Sequence, residues 1–290
     1  MQRYKVPQHK ILKTILIFIS VITIIGVGSY VVSTVMYVNS IYDQSNLISS
    51  ASDSTKALLS RIAAKKKQPV YISLPSSTPF QARVEDYTQP SSLWALVNKT
   101  HPIPITYAPA GLVLPDVPER TDKSIEERSL RSDAAGPVKH MFDAATADGH
   151  SLMIASAYRS ATLQKTYFNN YAAISGVAAA NLYSAFPGQS EHQTGLAIDI
   201  SSVSRNCYLD TCFMKTLDGI WLAANGYKYG FVLRYPEGKT DITGYNFEPW
   251  HYRYVGIDFA TALYKSGLVM DQAWPYLQAA DMTLRQNGAL

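Results

Sequence analysis

Apolar residues fall into three kinds of run along the chain, and each predicts a different element. The first is unbroken: residues 15–38, ILIFISVITIIGVGSYVVSTVMYV, carry no charge. At about 1.5 Å rise per residue, such a helix spans a hydrocarbon core of roughly 30 Å with some tilt. The second kind repeats at helical spacing. It occurs in RSDAAGPVKHMFDAATADGH up to Gly149, and in SATLQKTYFNNYAAISGVAAANLYSAF with a break near Gly176. It recurs in TLDGIWLAANGYKYG up to Asn225-Gly226, and in GIDFATALYKSG. The third kind is short and reads as strand: SLMIASAY, GLAIDIS and FVLRYP. Helices mixed with short strands, without regular βαβ alternation, predict an α+β domain.

The polar positions divide the chain. Arg3, Lys5, Lys10 and Lys13 precede the apolar run with no acidic residue among them. This places the N-terminus on the cytoplasmic side. A cleaved signal peptide would have an apolar core of about 7–15 residues and a small-residue cleavage site. Here the run is longer and ends in Tyr37-Val38-Asn39, so a retained anchor is expected. After it, YDQSNLISSASDSTKALLSRIAAKKKQ can form a short amphipathic helix. PVYISLPSSTPFQARVEDYTQPSS then reads as a Pro-punctuated, extended linker. The expected organisation is a basic tail over 1–14, a transmembrane anchor over 15–38, an extracytoplasmic linker over 39–92 and a globular domain over 93–290. The protein would be single-pass in the cell membrane, its folded domain outside the cytoplasm.

Composition narrows the partners. Of 290 residues, 17% are charged and 47% hydrophobic, which suits a packed globule. The net charge of +4 is modest, and no basic-aromatic interleaving or zinc-knuckle spacing occurs. Neither nucleic acid nor nucleotide is an expected partner.

Candidate chemistry centres on the histidines. His9, His101, His140 and His150 have contexts that suit surface or satisfied core residues. His192 and Asp199 share SEHQTGLAIDI, and His251 follows Glu248 in EPWH. Two imidazoles and a carboxylate suit zinc, whose catalytic sites leave a fourth position open. Glu248 would be a neighbouring carboxylate free to act as a base. Gly195 permits a tight turn between the first two candidates. If residues 197–201 form a strand, Asp199 shares a face with Ala197 while Ile198 and Ile200 pack on the other. Pro249 would suit an edge strand or the first residue of one. From spacing alone, a capping Asp and two ordinary histidines remain open beside the metal site.

These residues also carry a resemblance. SEHQTGLAID fits S-x-H-x-x-G-x-A-x-D, and EPWH fits E-x-W-H, of the VanY-type D-alanyl-D-alanine carboxypeptidases. These are zinc peptidases of the LAS group, whose domain is a small antiparallel sheet flanked by helices. SAYRS with Gln164, GFVLRYPEGKTDITGY and WHYRYVG are similar in order and spacing, from about Leu93 to Leu268. The resemblance implies Zn2+ held by His192, Asp199 and His251, with Glu248 as general base. It implies that Arg159 holds the substrate's terminal carboxylate, for which a planar guanidinium fork is suited. Gln164 and Ser190 match positions that contact the peptide, and Trp250 reads as a core or pocket-wall residue. The implied activity is removal of the C-terminal D-alanine from peptidoglycan stem peptides. An L,D-carboxypeptidase acting on tetrapeptide stems uses the same machinery, and a non-catalytic zinc module that binds cell wall is the alternative of another class. No S-x-x-K element points to a serine nucleophile. Cys207 and Cys212 can form a short-loop disulfide or remain two free thiols.

Overall fold

The computed structural model describes residues 55–58, 60–61 and 69–290. The chain divides into two compact units, Met1–Lys67 and Gln68–Leu290. In the first, residues 55–58 and 60–61 are helical and exposed, within the stretch expected to form a short amphipathic helix. The expected anchor over 15–38 lies outside the described residues. No helix among the described residues is long and apolar enough to cross a membrane.

The second unit begins earlier than the expected boundary at 93. Strands β1 (Tyr71–Ile72) and β2 (Phe80–Gln81) pair antiparallel. Ile72, Leu74, Phe80 and Tyr87 are buried in the main core. Phe80 stacks on Phe259 with ring centroids 5.6 Å apart, and Trp94 lies edge-on to both. The Trp94 indole N–H donates to the Val255 carbonyl at 2.8 Å. Residues 69–92 are therefore an arm of the folded domain. Pro and Ser dominate the stretch, but widely spaced large side chains each gain about 1.5–3 kcal/mol by burial and hold it down.

The arm leads to β3 (Leu112–Val113), which pairs with β4 (Leu130–Arg131). Between them lies α1 (Ile125–Arg128), opened by a Ser124–Glu127 capping box. Helix α2 (Ser132–Ala147) buries Ala134, Val138, Met141, Phe142 and Ala145, the helical stripe read from the sequence. Then come β5 (Leu152–Ser156), α3 (Ala161–Ser175) and α4 (Val177–Ala180). The predicted break falls at Gly176, whose φ of +81° ends α3. The remaining elements are β6 (Ala197–Ser202), α5 (Leu217–Asn225), β7 (Phe231–Leu233), α6 (Thr240–Thr243), β8 (His251–Tyr254), α7 (Ile257–Ser266) and α8 (Met270–Gln286). The central sheet is antiparallel throughout, in the order β5-β6-β8-β7. The α+β expectation holds, with a small antiparallel sheet among helices.

Two local details differ from the sequence reading. β8 is paired on both sides, and Pro249 sits in the turn before it, where its missing N–H interrupts no ladder. Helix α8 was not anticipated, although Met270, Ala273, Trp274, Leu277, Ala280 and Leu284 are buried at helical spacing.

Candidate metal centre and active site

Strand register assembles the site. Asp199 of β6 lies opposite His251 of β8. Directly opposed residues put their side chains on one face, with Cβ atoms about 4.5–5.5 Å apart. A register shift between Ile154 and Ser156 brings Ser156 opposite Asp199 on the other side. His192 arrives from a single 3₁₀ turn, Glu191–Thr194, which ends at Gly195 with φ +69°. A Cβ at Gly195 would also meet Leu112 Cδ2 at 3.1 Å and Pro109 Cγ at 3.3 Å. The left-handed backbone favours glycine there, and a side chain would also crowd these neighbours.

One ligand atom each from His192, Asp199 and His251 lies within 4.8 Å of the others, and all three residues are buried. Among the described residues this is the only such group. His192 Nδ1 lies 2.6 Å from the Ala157 carbonyl, which can only accept, so that nitrogen carries the proton. Its Nε2 is left with a lone pair, 3.3 Å from Asp199 Oδ2. His251 presents Nδ1 to Asp199 Oδ1 at 3.1 Å. Two imidazoles and a carboxylate converging in a buried pocket fit zinc, with the His192 ring oriented by its outer bond to Ala157.

The electrostatics separate the acids. Burial pushes the Glu248 carboxyl up to about 8, with Asp199 acting in the same direction and His251 and Arg159 opposing. Its Oε2 stands 3.8 Å from His251 Nδ1. Burial also opposes ionisation of Asp199, but His192 and His251 hold it well below the usual carboxylate range. Burial depresses His192. For His251 burial is outweighed by Asp199, Glu191 and Glu248, which hold it at about 9.

Around this centre lies a cleft of about 530 Å³, lined by the three candidate ligands and by Arg159, Ser190 and Glu248. Such a volume suits a small peptide segment. Arg159 donates to Gln164 Oε1 at 2.9 Å and to Ser156 Oγ at 3.0 Å, and lies over the Tyr167 ring. Its buried Nε has no protein partner. Gln164 sits behind it, donating to the Ala185 carbonyl at 2.7 Å, so its first task is to orient the guanidinium. Ser190 precedes the 3₁₀ turn without a side-chain capping bond, so its hydroxyl is not consumed as a cap. Trp250 packs on the core and lines the cleft. Cys207 and Cys212 are disulfide-bonded, closing a loop whose Tyr208 and Leu209 reach the cleft rim.

The sequence reading missed what lies beneath the site. Glu191 Oε1 accepts from Arg234 Nε at 2.8 Å and Arg253 Nη1 at 3.0 Å, and all three side chains have no solvent exposure. Arg234 continues to Asp271 at 2.6 Å. Only the pairing of Glu191 with Arg234, just after β7, and Arg253 of β8 could have signalled this, and that pairing is tertiary.

Comparison with known proteins agrees with this geometry. The family model described as D-alanyl-D-alanine carboxypeptidase, VanY, matches residues 127–257. YodJ of Bacillus subtilis (strain 168), which carries a carboxypeptidase name, is 44% identical over 189 residues, covering 65% of this chain and 69% of its own. The structure of the LdcB LD-carboxypeptidase aligns with a TM-score of 0.61 at 45% identity, over 64% of this chain and 87% of that one. A variant of the vancomycin resistance D,D-pentapeptidase VanY, in complex with Zn(II), aligns with a TM-score of 0.51 at 35% identity, over 64% and 99%.

Proposed function

The chain belongs to the VanY D-alanyl-D-alanine carboxypeptidase family, and from that premise we propose that it is a zinc-dependent D,D-carboxypeptidase of peptidoglycan stem peptides. The observation that carries the reading is one cleft holding the His192–Asp199–His251 cluster, the raised carboxyl of Glu248 and the guanidinium of Arg159. His192, Asp199 and His251 would hold zinc, which when bound supplies a Lewis acid for the carbonyl and makes water more acidic. Glu248 takes the proton as water attacks the scissile carbonyl, then delivers it to the departing D-alanine amine as the C–N bond breaks. Arg159, held by Gln164 and Ser156, receives the terminal carboxylate and selects a free C-terminus.

A specific observation favours a second reading: similarity to the LD-carboxypeptidase LdcB exceeds that to VanY in both identity and TM-score. Under it, the substrate is a tetrapeptide stem. The deciding experiment offers the zinc-loaded full chain defined pentapeptide and tetrapeptide stems and measures free D-alanine. Release from the pentapeptide supports the D,D reading, and release from the tetrapeptide alone replaces it with the L,D one. If neither is cleaved while zinc and cell wall are bound, the non-catalytic module is correct.

The proposal extends to location. The uncharged run over 15–38 behind a basic tail supports a retained anchor with the domain outside the cytoplasm. The Cys207–Cys212 disulfide suits an oxidising compartment. Recovery of the chain in a salt-washed membrane fraction, with the domain accessible to external protease, is the expected result.

A further inference from the structure

Resting on the reading of His251 as a zinc ligand, we propose that Glu191 is the positioning residue of the metal centre. Its Oε2 fixes His251 through Nε2 and so commits Nδ1 to the metal. Two glutamates flank the ring from opposite sides. Glu248 Oε2 lies 3.8 Å from Nδ1, on the cleft side. Glu191 Oε2 lies 3.5 Å from Nε2, on the buried side. Both atoms are buried and neither forms a hydrogen bond, so the 3.5 Å contact pairs two otherwise unsatisfied groups. The other oxygen of Glu191 is held by Arg234 and Arg253.

Those arginines are themselves fixed. Arg234 reaches Asp271 at the start of α8, and Arg253 Nη2 donates to the Leu93 and Ala95 carbonyls, both at 3.1 Å. Three separate segments thus hold the carboxylate against the imidazole. Two guanidiniums and the carboxylates of Glu191 and Asp271 balance in charge, so the cluster can stay ionised while buried. A side chain with no exposure and one oxygen engaged twice cannot serve an incoming water. Metal-bound histidines characteristically present their second nitrogen to such a carboxylate, which fixes tautomer and ring orientation.

Glu191→Gln tests this through hydrogen-bond direction. The arginines only donate, so the amide oxygen stays on them and the amide nitrogen turns to His251 Nε2. That nitrogen must then accept, which moves the imidazole proton to Nδ1, where zinc would bind. We expect zinc affinity, measured by chelator competition on the full chain, to fall by about 10–100-fold. The cobalt(II) absorption of the loaded protein should change as well. The metal-free variant should retain its circular dichroism. Glu191→Gln combined with Arg253→Met restores charge balance but not the carboxylate, and should stay equally weak. Parent-like zinc affinity in either folded variant overturns the proposal, as does recovery in the double variant alone. A measurement on the parent needs no variant: 15N-histidine spectra of the zinc-loaded chain should show His251 protonated at Nε2, and metal at Nε2 would sink the idea. His251→Ala is the control on the underlying reading. If it binds zinc like the parent, the zinc-site assignment fails; if it loses zinc while Glu191→Gln does not, only this inference fails.

Discussion

The two faces of the central sheet are equally buried and chemically opposite. On one, Ile198 and Ile200 of β6 and Tyr252 of β8 join the apolar core. On the other, one residue away in each strand, sit Asp199, His251 and Arg253. Strand alternation ordinarily separates a buried face from a wet one. Here it separates a face stabilised by apolar burial from one that is tolerable only because each charge has a partner. Desolvating ions is expensive and seldom raises stability. A sheet that maintains Asp199, His251, Glu191, Arg234 and Arg253 out of water is built for a site, and that difference should be open to experiment.

The largest expected effect comes from the polar face. Glu248→Ala should lower D-alanine release by about 10²–10⁴-fold, the usual scale of general acid–base catalysis. Zinc content, measured by atomic absorption, should be unchanged, and parent-like turnover would remove Glu248 from its role. The apolar face should respond in the opposite sense. Ile198→Ala should destabilise the domain by about 2–5 kcal/mol in denaturant unfolding, with residual folded protein still binding zinc. If it instead lost zinc at full stability, the division between the faces would be wrong.

Arg159→Lys should raise KM for a free stem peptide by roughly tenfold or more, because a point charge cannot replace the bidentate fork. With a stem amidated at its C-terminus, parent and variant should be equally poor. A similar loss on the amidated stem would mean that Arg159 does not read the carboxylate. Zinc binding itself should be pH-dependent. The metal must displace the proton from His251, whose pKa is held at about 9. Apparent zinc affinity should therefore weaken by about tenfold per unit as pH falls below that value, as proton competition requires. A flat profile between pH 8 and 6 would contradict it.

The smallest effect concerns Glu127 beneath the cleft. Burial opposes its ionisation, but Lys123, Tyr167 and Ser124 outweigh it and lower the carboxyl from 4.5 to about 2. Because the folded value is the lower one, its contribution to stability is complete above pH 4.5 and fades as pH falls towards 2. Glu127→Gln should cost a fraction of a kcal/mol to about 1 kcal/mol near neutrality. Unfolding curves of parent and variant should converge in acid; divergence there would reverse the sign of the argument.

Much of this was legible in the residues and some was not. The helical stripe of α2 and the strand runs of β5, β6 and β7 follow from periodicity, because each buries one local pattern. The boundary at 93 falls too late because the arm has no periodicity: Ile72, Phe80, Tyr87 and Trp94 gain burial only against distant elements, among them α7, α8 and the end of β8. Gln164 lines the cleft as its reading as a peptide contact requires, and its bonds to Arg159 and Ala185 add a support for the guanidinium that the residues alone did not reveal.

The residues alone determined which donors exist: two imidazoles, an aspartate and a glutamate in two motifs, with a glycine between the first pair. Their chemistry is a local property and survives in the bare sequence. The resemblance already implied Glu248 as the base, whereas only the tertiary structure decided which nitrogen of each ring faces the centre and what surrounds each glutamate. Glu191 and Glu248 are the same side chain, one residue before His192 and three before His251. One oxygen of Glu191 is tied by Arg234, just after β7, and Arg253 of β8, and its side chain has no exposure, while the Glu248 side chain keeps 11%. That contrast arises from strand pairing and burial, which bring together residues more than forty positions apart.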